Sequence, residues 1–538
     1  MKRTYPINVL IISLCFCFTG LSAQKGYSDY KTMTARIQAL AKEFPSVCDV
    51  RSLSKTAGEK DIWLITIGTG DKDNKPGIAI FGGLEGSHLA GMELATGIAG
   101  SLVRGSSSDE IKQLLGKVTF YVFPNVSPDA TEQFFSPVKY ERNANARPTD
   151  DDRDFVTDED PSEDMDKDGY ITFIRVEDPS GNYIKCTEDD RVMVAADIAK
   201  GQTGSYLYFS EGFDNDKDKE FNEDGAGGVN FNRNFTYNYE EFGPGAGLHP
   251  VSEPETKAVA DFLFDRFNIY AVFSFGPQDN LGQPMKAAEQ ARSERRITSI
   301  MKSDEPINKL VSDKYHEITG IKGNPQTKNS SGNFMEWAYY HYGRYSFSTP
   351  AWWFPVEKGK NAEAEFLKYA GKDSLNEVFV AWKEIRHPDF PDRKAEAGGI
   401  RPFAMINPPA DSLSSLVEKN FRFITEVAAM HPELEFIDIE TEKAGDDIFR
   451  ITLKVRNKGI FATVTEAGEV NSWTRIMRIS AGTAKGQEIL SGRKVQRISR
   501  LTGGQFAEFS WLVSGRGLVT ITAGAVNTGI ISTTVNLK

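Results

Sequence analysis

The sequence is poor in the two residues that most often pin a secreted fold or a metal. It has four cysteines and six histidines in 538 residues. Cys15 and Cys17 sit in an apolar N-terminal segment, which leaves Cys48 and Cys186. Two cysteines make no disulfide framework, and whether they pair stays open. The histidines form no cluster at metal spacing outside one segment taken up below. Basic charge is also short, with 63 Lys and Arg against 75 Asp and Glu and a net charge of -12. An acidic surface argues against nucleic acid as a partner. After the N-terminal segment no apolar run approaches the ~20 residues that a membrane-spanning helix needs.

What is present begins at the N-terminus. Lys2 and Arg3 precede the apolar run VLIISLCFCFTGL at 9–21, and Ala23 supplies a small residue before Gln24. That order of charge, apolar core and small-residue exit predicts a secretory signal peptide over residues 1–23. The expected product is a periplasmic or extracellular protein. Its remaining length suits two or three domains.

Residues 30–44 have helical spacing and precede two strand-like runs, 47–54 and 61–68, around a turn at Gly58. Apolar runs at 77–82, 118–124 and 269–275 predict buried strands, and 88–102 and 252–266 predict amphipathic helices between them. Buried strands alternating with such helices predict an α/β sheet covered on both faces. A last helix, 412–430, closes this large domain. From about 432 the pattern changes. Phe449, Ile451, Leu453 and Val455 alternate with Arg450, Thr452, Lys454 and Arg456, a half-buried strand. Similar Gly-bounded runs continue to the end with no helical pattern between them. They predict an all-β sandwich over 431–538.

The motifs then carry a resemblance. GGLEGSHLAGMELA (82–95) resembles a zinc-binding turn that normally reads His-Gly-x-Glu. YVFPNVSPDATE (121–132), GGVNFNRNF (227–235), PVSEPETKAVADFL (250–263), FSFGPQDNLGQP (273–284) and GNFMEWAYYHYGRYSFSTPAWW (332–353) follow in the expected order. Together they are similar to the carboxypeptidase A-like zinc carboxypeptidases across residues 30–430. The resemblance implies a carboxypeptidase-like mixed sheet over 24–430, with an acidic insertion at about 141–228, zinc as the family cofactor and a peptide or peptide-like carboxylate as ligand.

The same resemblance implies that the chemistry is altered. The family's first histidine falls on Glu85 and its glutamate on His88, the pair in reversed order. Its third ligand falls on Gly276, which has no side chain, and its catalytic glutamate on Pro350, which cannot take a proton. Gln278 or Asp279 is the alternative third ligand. Against metal binding stands a plainer expectation, with His88 capping a helix and Glu85 solvated or paired with an arginine. On the substrate side, Asn232 and Arg233 fall on the pair that holds the peptide carboxylate, and an arginine fork binds a carboxylate whether or not a bond is cut. Arg147, or else Arg142, falls on the carbonyl-polarising arginine, and Met335 on the specificity position. The mobile tyrosine falls near Lys328. Trp352 and Trp353 belong to the cleft or to the core.

Three acidic runs space carboxylates two apart: Asp150, Asp152, Asp154, Asp158 and Asp160; Asp164, Asp166 and Asp168; and Asp214, Asp216, Asp218 and Asp224. Asp164 to Gly169 copies the first half of a calcium loop, but its twelfth position is Arg175. Calcium is the expected ion, in a structural role. Three functions follow: an inactive homologue that binds peptide C-termini, an active metallocarboxypeptidase with a rearranged site, or a scaffold.

Overall fold

The computed structural model describes residues 26–538 except 151–155, 159, 216, 218–220, 223–224, 226, 289–296, 328–329, 374 and 376. The expected signal peptide therefore lies outside the described residues. The central sheet has six strands: β1 (Cys48–Lys55), β2 (Asp61–Ile67), β3 (Gly77–Phe81), β4 (Thr119–Phe123), β5 (Ile269–Phe275) and β6 (Tyr345–Thr349). Their order is β1-β2-β4-β3-β5-β6. The first two pairings are antiparallel and the other three parallel. Every residue of β3 to β6 is buried, as parallel strands covered on both faces require.

Successive side chains of a strand point to opposite faces, so the sheet divides its core in two. Ile78 and Ile80 pack with Leu94, Ile98 and Phe423 from helices Leu89–Arg104 and Leu413–Ala429. Ala79 and Phe81 pack on the other face with Phe262, Phe334 and Trp337 from helices Pro254–Asp265 and Phe334–Tyr340. The mixed α/β fold is as the sequence predicts.

A second six-stranded sheet was not legible in advance. It takes Phe173–Glu177, Tyr183–Lys185, Met193–Ala195 and Tyr206–Ser210 from the acidic insertion, and Phe379–Ile385 and Ala395–Ile400 from far downstream. All its pairings are antiparallel. Helix Ala362–Lys372 packs on it through Phe366 and Leu367, in a cluster that also holds Trp352 and Phe354.

The C-terminal strands form two four-stranded sheets, with Phe449, Ile451, Leu453 and Val455 buried between them against Trp511 and Ile521. One helix interrupts them, Glu466–Asn471, capped by the Thr465 side chain. Its first turn docks on the large domain. The buried Asp304 carboxylate accepts the Glu466 N–H at 2.9 Å and the Ala467 N–H at 3.3 Å, the Tyr339 hydroxyl at 2.8 Å and Arg500 Nη2 at 2.9 Å. Cys48 and Cys186 are both buried and unpaired.

Candidate functional site

The carboxyl ends of β3, β5 and β6 open on one cleft of about 750 Å³. Ligands of open α/β sheets bind at such strand ends. Leaving β3, the chain turns through Gly82 and Gly83. Gly83 has φ 61°, and a β-carbon there would lie 2.2 Å from Asn125 Oδ1, so the turn demands glycine. Leu84 then turns into the core, and Glu85 and His88 line the cleft before helix Leu89–Arg104 begins. From β5 come Pro277 and Gln278, and from β6 come Pro350, Trp352, Trp353 and Phe354. Arg233 enters on the short helix Phe231–Arg233.

The polar floor is a hydrogen-bonded chain. Asn232, fully buried, donates through Nδ2 to Gln278 Oε1 at 2.7 Å and to Glu85 Oε1 at 3.2 Å. Gln278 donates in turn to Ser330 Oγ at 3.1 Å. Asn232 Oδ1 accepts the Phe334 N–H at 3.1 Å, which fixes the amide's orientation. Burial raises the Glu85 carboxyl above its ordinary range, opposed by the Asn232 hydrogen bond and the Arg233 charge. Burial pushes the His88 imidazole down to about 4, so it is neutral at pH 7. His88 stands at the helix N-cap, but its ring makes no capping bond. Glu85 is bonded to amides and forms no ion pair with any described residue.

This donor set does not fit a zinc centre. Catalytic zinc takes three protein ligands. A β-carbon added at Gly276 would meet Leu84 Cδ1 at 2.8 Å and its Cβ at 3.1 Å, so the third ligand's space is filled by packing. Gln278 is committed to Asn232 and Ser330. Asp279 faces away, its carboxylate accepting the N–H groups of Gly282 and Gln283, both at 2.9 Å. Burial pushes that carboxyl up to about 6. Among the described residues, Glu85 and His88 have no third acidic, histidine or cysteine partner at metal distance.

Of the expected substrate residues, Arg233 lines the cleft and Asn232 lies beneath it. Arg233 Nη1 donates to the Pro244 carbonyl at 2.7 Å, and the guanidinium forms no ion pair with any described residue. Arg147 is spent on Glu253, Nε to Oε2 at 3.0 Å. Arg142 staples its own loop, binding the carbonyls of Ala144, Asn145 and Gly227 at 3.1, 2.6 and 3.1 Å. Met335 is buried on helix Phe334–Tyr340 and does not line the cleft. Lys328 lies outside the described residues.

The acidic runs part company. Asp164, Asp166 and Glu211 bring carboxylate oxygens within 4.8 Å of one another. Asp168 closes the loop by accepting the Tyr170 N–H at 2.8 Å, and its carboxyl is raised by burial and by its two acidic neighbours. Asp158 and Asp160 instead accept backbone N–H groups of Gly227, Asn215 and Asn222 at 2.9, 3.0 and 2.8 Å. Asp214 accepts the Lys217 N–H at 2.5 Å, and Asp150 lies apart from the triad. Asp152, Asp154, Asp216, Asp218 and Asp224 lie outside the described residues. Glu211 was missed because no local spacing links it to the loop; it arrives across a sheet. Arg175, at the loop's twelfth position, pairs with Glu396 at 2.8 Å.

The zinc carboxypeptidase family matches residues 33–172 and 204–356, together more than half of the chain, and a domain of unknown function matches 433–536. Carboxypeptidase M of Mus musculus is 25% identical over 121 residues, covering 22% of this chain and 27% of the relative. Carboxypeptidase B of Astacus astacus is 28% identical over 110 residues, covering 20% of this chain and 35% of the relative. The matched stretches thus span about a third or less of these relatives' own length. Bovine thrombin-activatable fibrinolysis inhibitor, solved with tick carboxypeptidase inhibitor, aligns with a TM-score of 0.41 and 13% identity, over 75% of this chain and 97% of that one.

Proposed function

The chain belongs to the zinc carboxypeptidase family, and from that premise we propose that it is a secreted member that binds peptide C-termini without cutting them. The observation that carries the reading is the filled third-ligand position: Leu84 occupies the space beside Gly276, and Asn232 and Gln278 join hands where a metal set would stand. Pro350 adds to it, because no proton acceptor stands at the position of the catalytic glutamate. Arg233 supports the binding half of the proposal. Its guanidinium faces the cleft without a carboxylate partner among the described residues, ready for a charge-assisted pair with a peptide terminus.

Purified mature protein, kept in calcium, is equilibrated with micromolar free zinc and assayed for bound metal. The same protein is titrated calorimetrically with an acetylated tetrapeptide as free acid and as C-terminal amide. Zinc well below one per chain and a free-acid preference of roughly ten- to a hundredfold, lost in Arg233→Ala, are expected. Stoichiometric zinc that disappears in Glu85→Ala or His88→Ala, together with cleavage, refutes the inactive reading in favour of a rearranged enzyme. An unchanged Arg233→Ala leaves only the scaffold.

A second element of the proposal concerns the triad of Asp164, Asp166 and Glu211. Glu211 supplies the late carboxylate that Arg175 cannot, and oxygen-only ligands suit calcium in a structural role.

A further inference from the structure

The C-terminal sandwich inverts the charge of the chain. Residues 472–538 hold nine Lys and Arg against two Asp and Glu, in a protein of net charge -12. Much of that excess collects on and beside one sheet. Its strands stand in the order Val495–Arg497, Arg478–Gly482, Gly517–Ala525 and Gly529–Leu537. None of the four contains an acidic residue or an aromatic one.

Ile479, Ala481, Val519, Ile521 and Ala523 point into the sandwich core, so the residues that alternate with them face outward. The register sets Arg478 opposite Arg497, Ser480 opposite Thr522, Thr522 opposite Ser532 and Thr520 opposite Thr534. The outer face is therefore a field of hydroxyls with two arginines side by side at one corner. The Ser480 and Thr522 hydroxyls lie 2.7 Å apart, and Arg478, Arg497, Thr520, Ser532 and Thr534 are exposed.

The arginine pair is the informative part. Like charges directly opposite on antiparallel strands destabilise a sheet, and no acid on this one relieves them. Elsewhere in the domain arginines are matched, Arg456 with Glu435 and Arg516 with Asp447. Arg478 and Arg497 form no ion pair with any described residue, and neither do Arg493 and Lys494 in the turn that leads into the edge strand. Such a cationic corner is complementary to a polyanion, and a pleated face without enclosing walls suits an extended one.

We propose that this sheet face docks an acidic polysaccharide, a chain of uronate sugars, and so tethers the large domain to a carboxylated matrix. A guanidinium fork matches a planar carboxylate in two hydrogen bonds. Serine and threonine hydroxyls both donate and accept, as sugar hydroxyls do. Without aromatic rings the face lacks the stacking platform of a nucleic-acid groove and the Trp and Tyr anchors of a bilayer interface. The proposal is independent of what the cleft binds.

The test uses the full mature chain, with calcium held constant, over immobilised hyaluronate and over neutral dextran. Binding to hyaluronate and not to dextran is expected, weakening at least about tenfold between roughly 50 and 300 mM NaCl as exposed charges are screened. The double variant Arg478→Ala, Arg497→Ala should lose at least about tenfold in affinity. It should melt no lower than the parent, because a repulsion has gone. Arg516→Ala, whose guanidinium is matched by Asp447, should bind hyaluronate as the parent does. Thr522→Glu sets a carboxylate in the middle of the face and should abolish binding. Equal binding to dextran, binding indifferent to salt, or affinity kept in both the double variant and Thr522→Glu overturns the proposal. So does binding to phosphatidylglycerol vesicles without binding to hyaluronate, which makes the partner a membrane. A mass by light scattering that doubles at low salt and reverts in the double variant also overturns it, seating the acidic strand Leu434–Gly445 of a second copy on this face. If the double variant is misfolded by circular dichroism, Thr522→Glu decides.

Discussion

Removing the carboxyl of Glu255 should stabilise the protein increasingly as pH rises from about 4.5 to 7, with the full gain above neutral pH. Glu255 is 1% exposed at the start of helix Pro254–Asp265. Its Oε1 accepts Asn145 Nδ2 at 2.7 Å, while Oε2 has no hydrogen-bond partner. The same Asn145 amide reaches Glu253 Oε2 at 2.8 Å, and Arg147 neutralises Glu253 rather than Glu255. Burial, with the charges of Glu253 and Asp129, pushes the Glu255 carboxyl up to about 7 from 4.5. A carboxyl raised on folding binds its proton more tightly in the native state. Its contribution is whole below pH 4.5 and is lost as pH rises toward 7, at about 1.4 kcal/mol per pH unit. The loss is complete above 7 and amounts to about 3 kcal/mol. Glu255→Gln keeps the Asn145 bond and cannot ionise. Urea unfolding at pH 5 and pH 8 should therefore show the variant gaining on the parent by ~2–3 kcal/mol between the two pH values. The gain follows Glu255 alone, so Glu253→Gln, which strips Arg147 of its partner, should destabilise at both. A Glu255→Gln protein whose difference from the parent is the same at pH 5 and pH 8 would refute the reasoning.

Gly276→His should not restore zinc, because its β-carbon meets Leu84; the pair Gly276→His and Leu84→Ala should bind more zinc than either single change, read by metal analysis after gel filtration. Asp304→Ala strands Arg500 against the docking helix and should cost about 3 kcal/mol, seen as earlier proteolysis between the large domain and the sandwich. Calcium at ten times its dissociation constant should stabilise the parent by about 1.4 kcal/mol, and Asp164→Asn or Glu211→Gln should abolish the effect in thermal melts.

Local pattern carried most of the central domain. Strands β3, β4 and β5 announce themselves as short apolar runs, and the expectation of substituted chemistry rests on single residues such as Gly276 and Pro350. What was hidden is non-local. Arg147 and Arg142 look available in the sequence, yet each is consumed by a partner that only the folded loop supplies. Glu211 completes an acidic loop from 45 residues beyond Asp166. The second sheet is built partly from three-residue strands inside a charged run, too short for alternation to register. Helix Glu466–Asn471 is likewise too brief for a periodic signal; its identity lies in the Thr465 cap and the Asp304 carboxylate it docks on.

The second sheet also sets a clock. Arg175 and its partner Glu396 lie 221 residues apart, and strand Phe173–Glu177 has one neighbour early, Tyr206–Ser210, and the other only when Ala395–Ile400 arrives. Pairings of such separation form late, and an unfilled strand edge is a template for the wrong chain. During synthesis the nascent protein therefore carries an open seam until residue 400 emerges. Fragments ending before that point keep the seam for good, and they should seek one another.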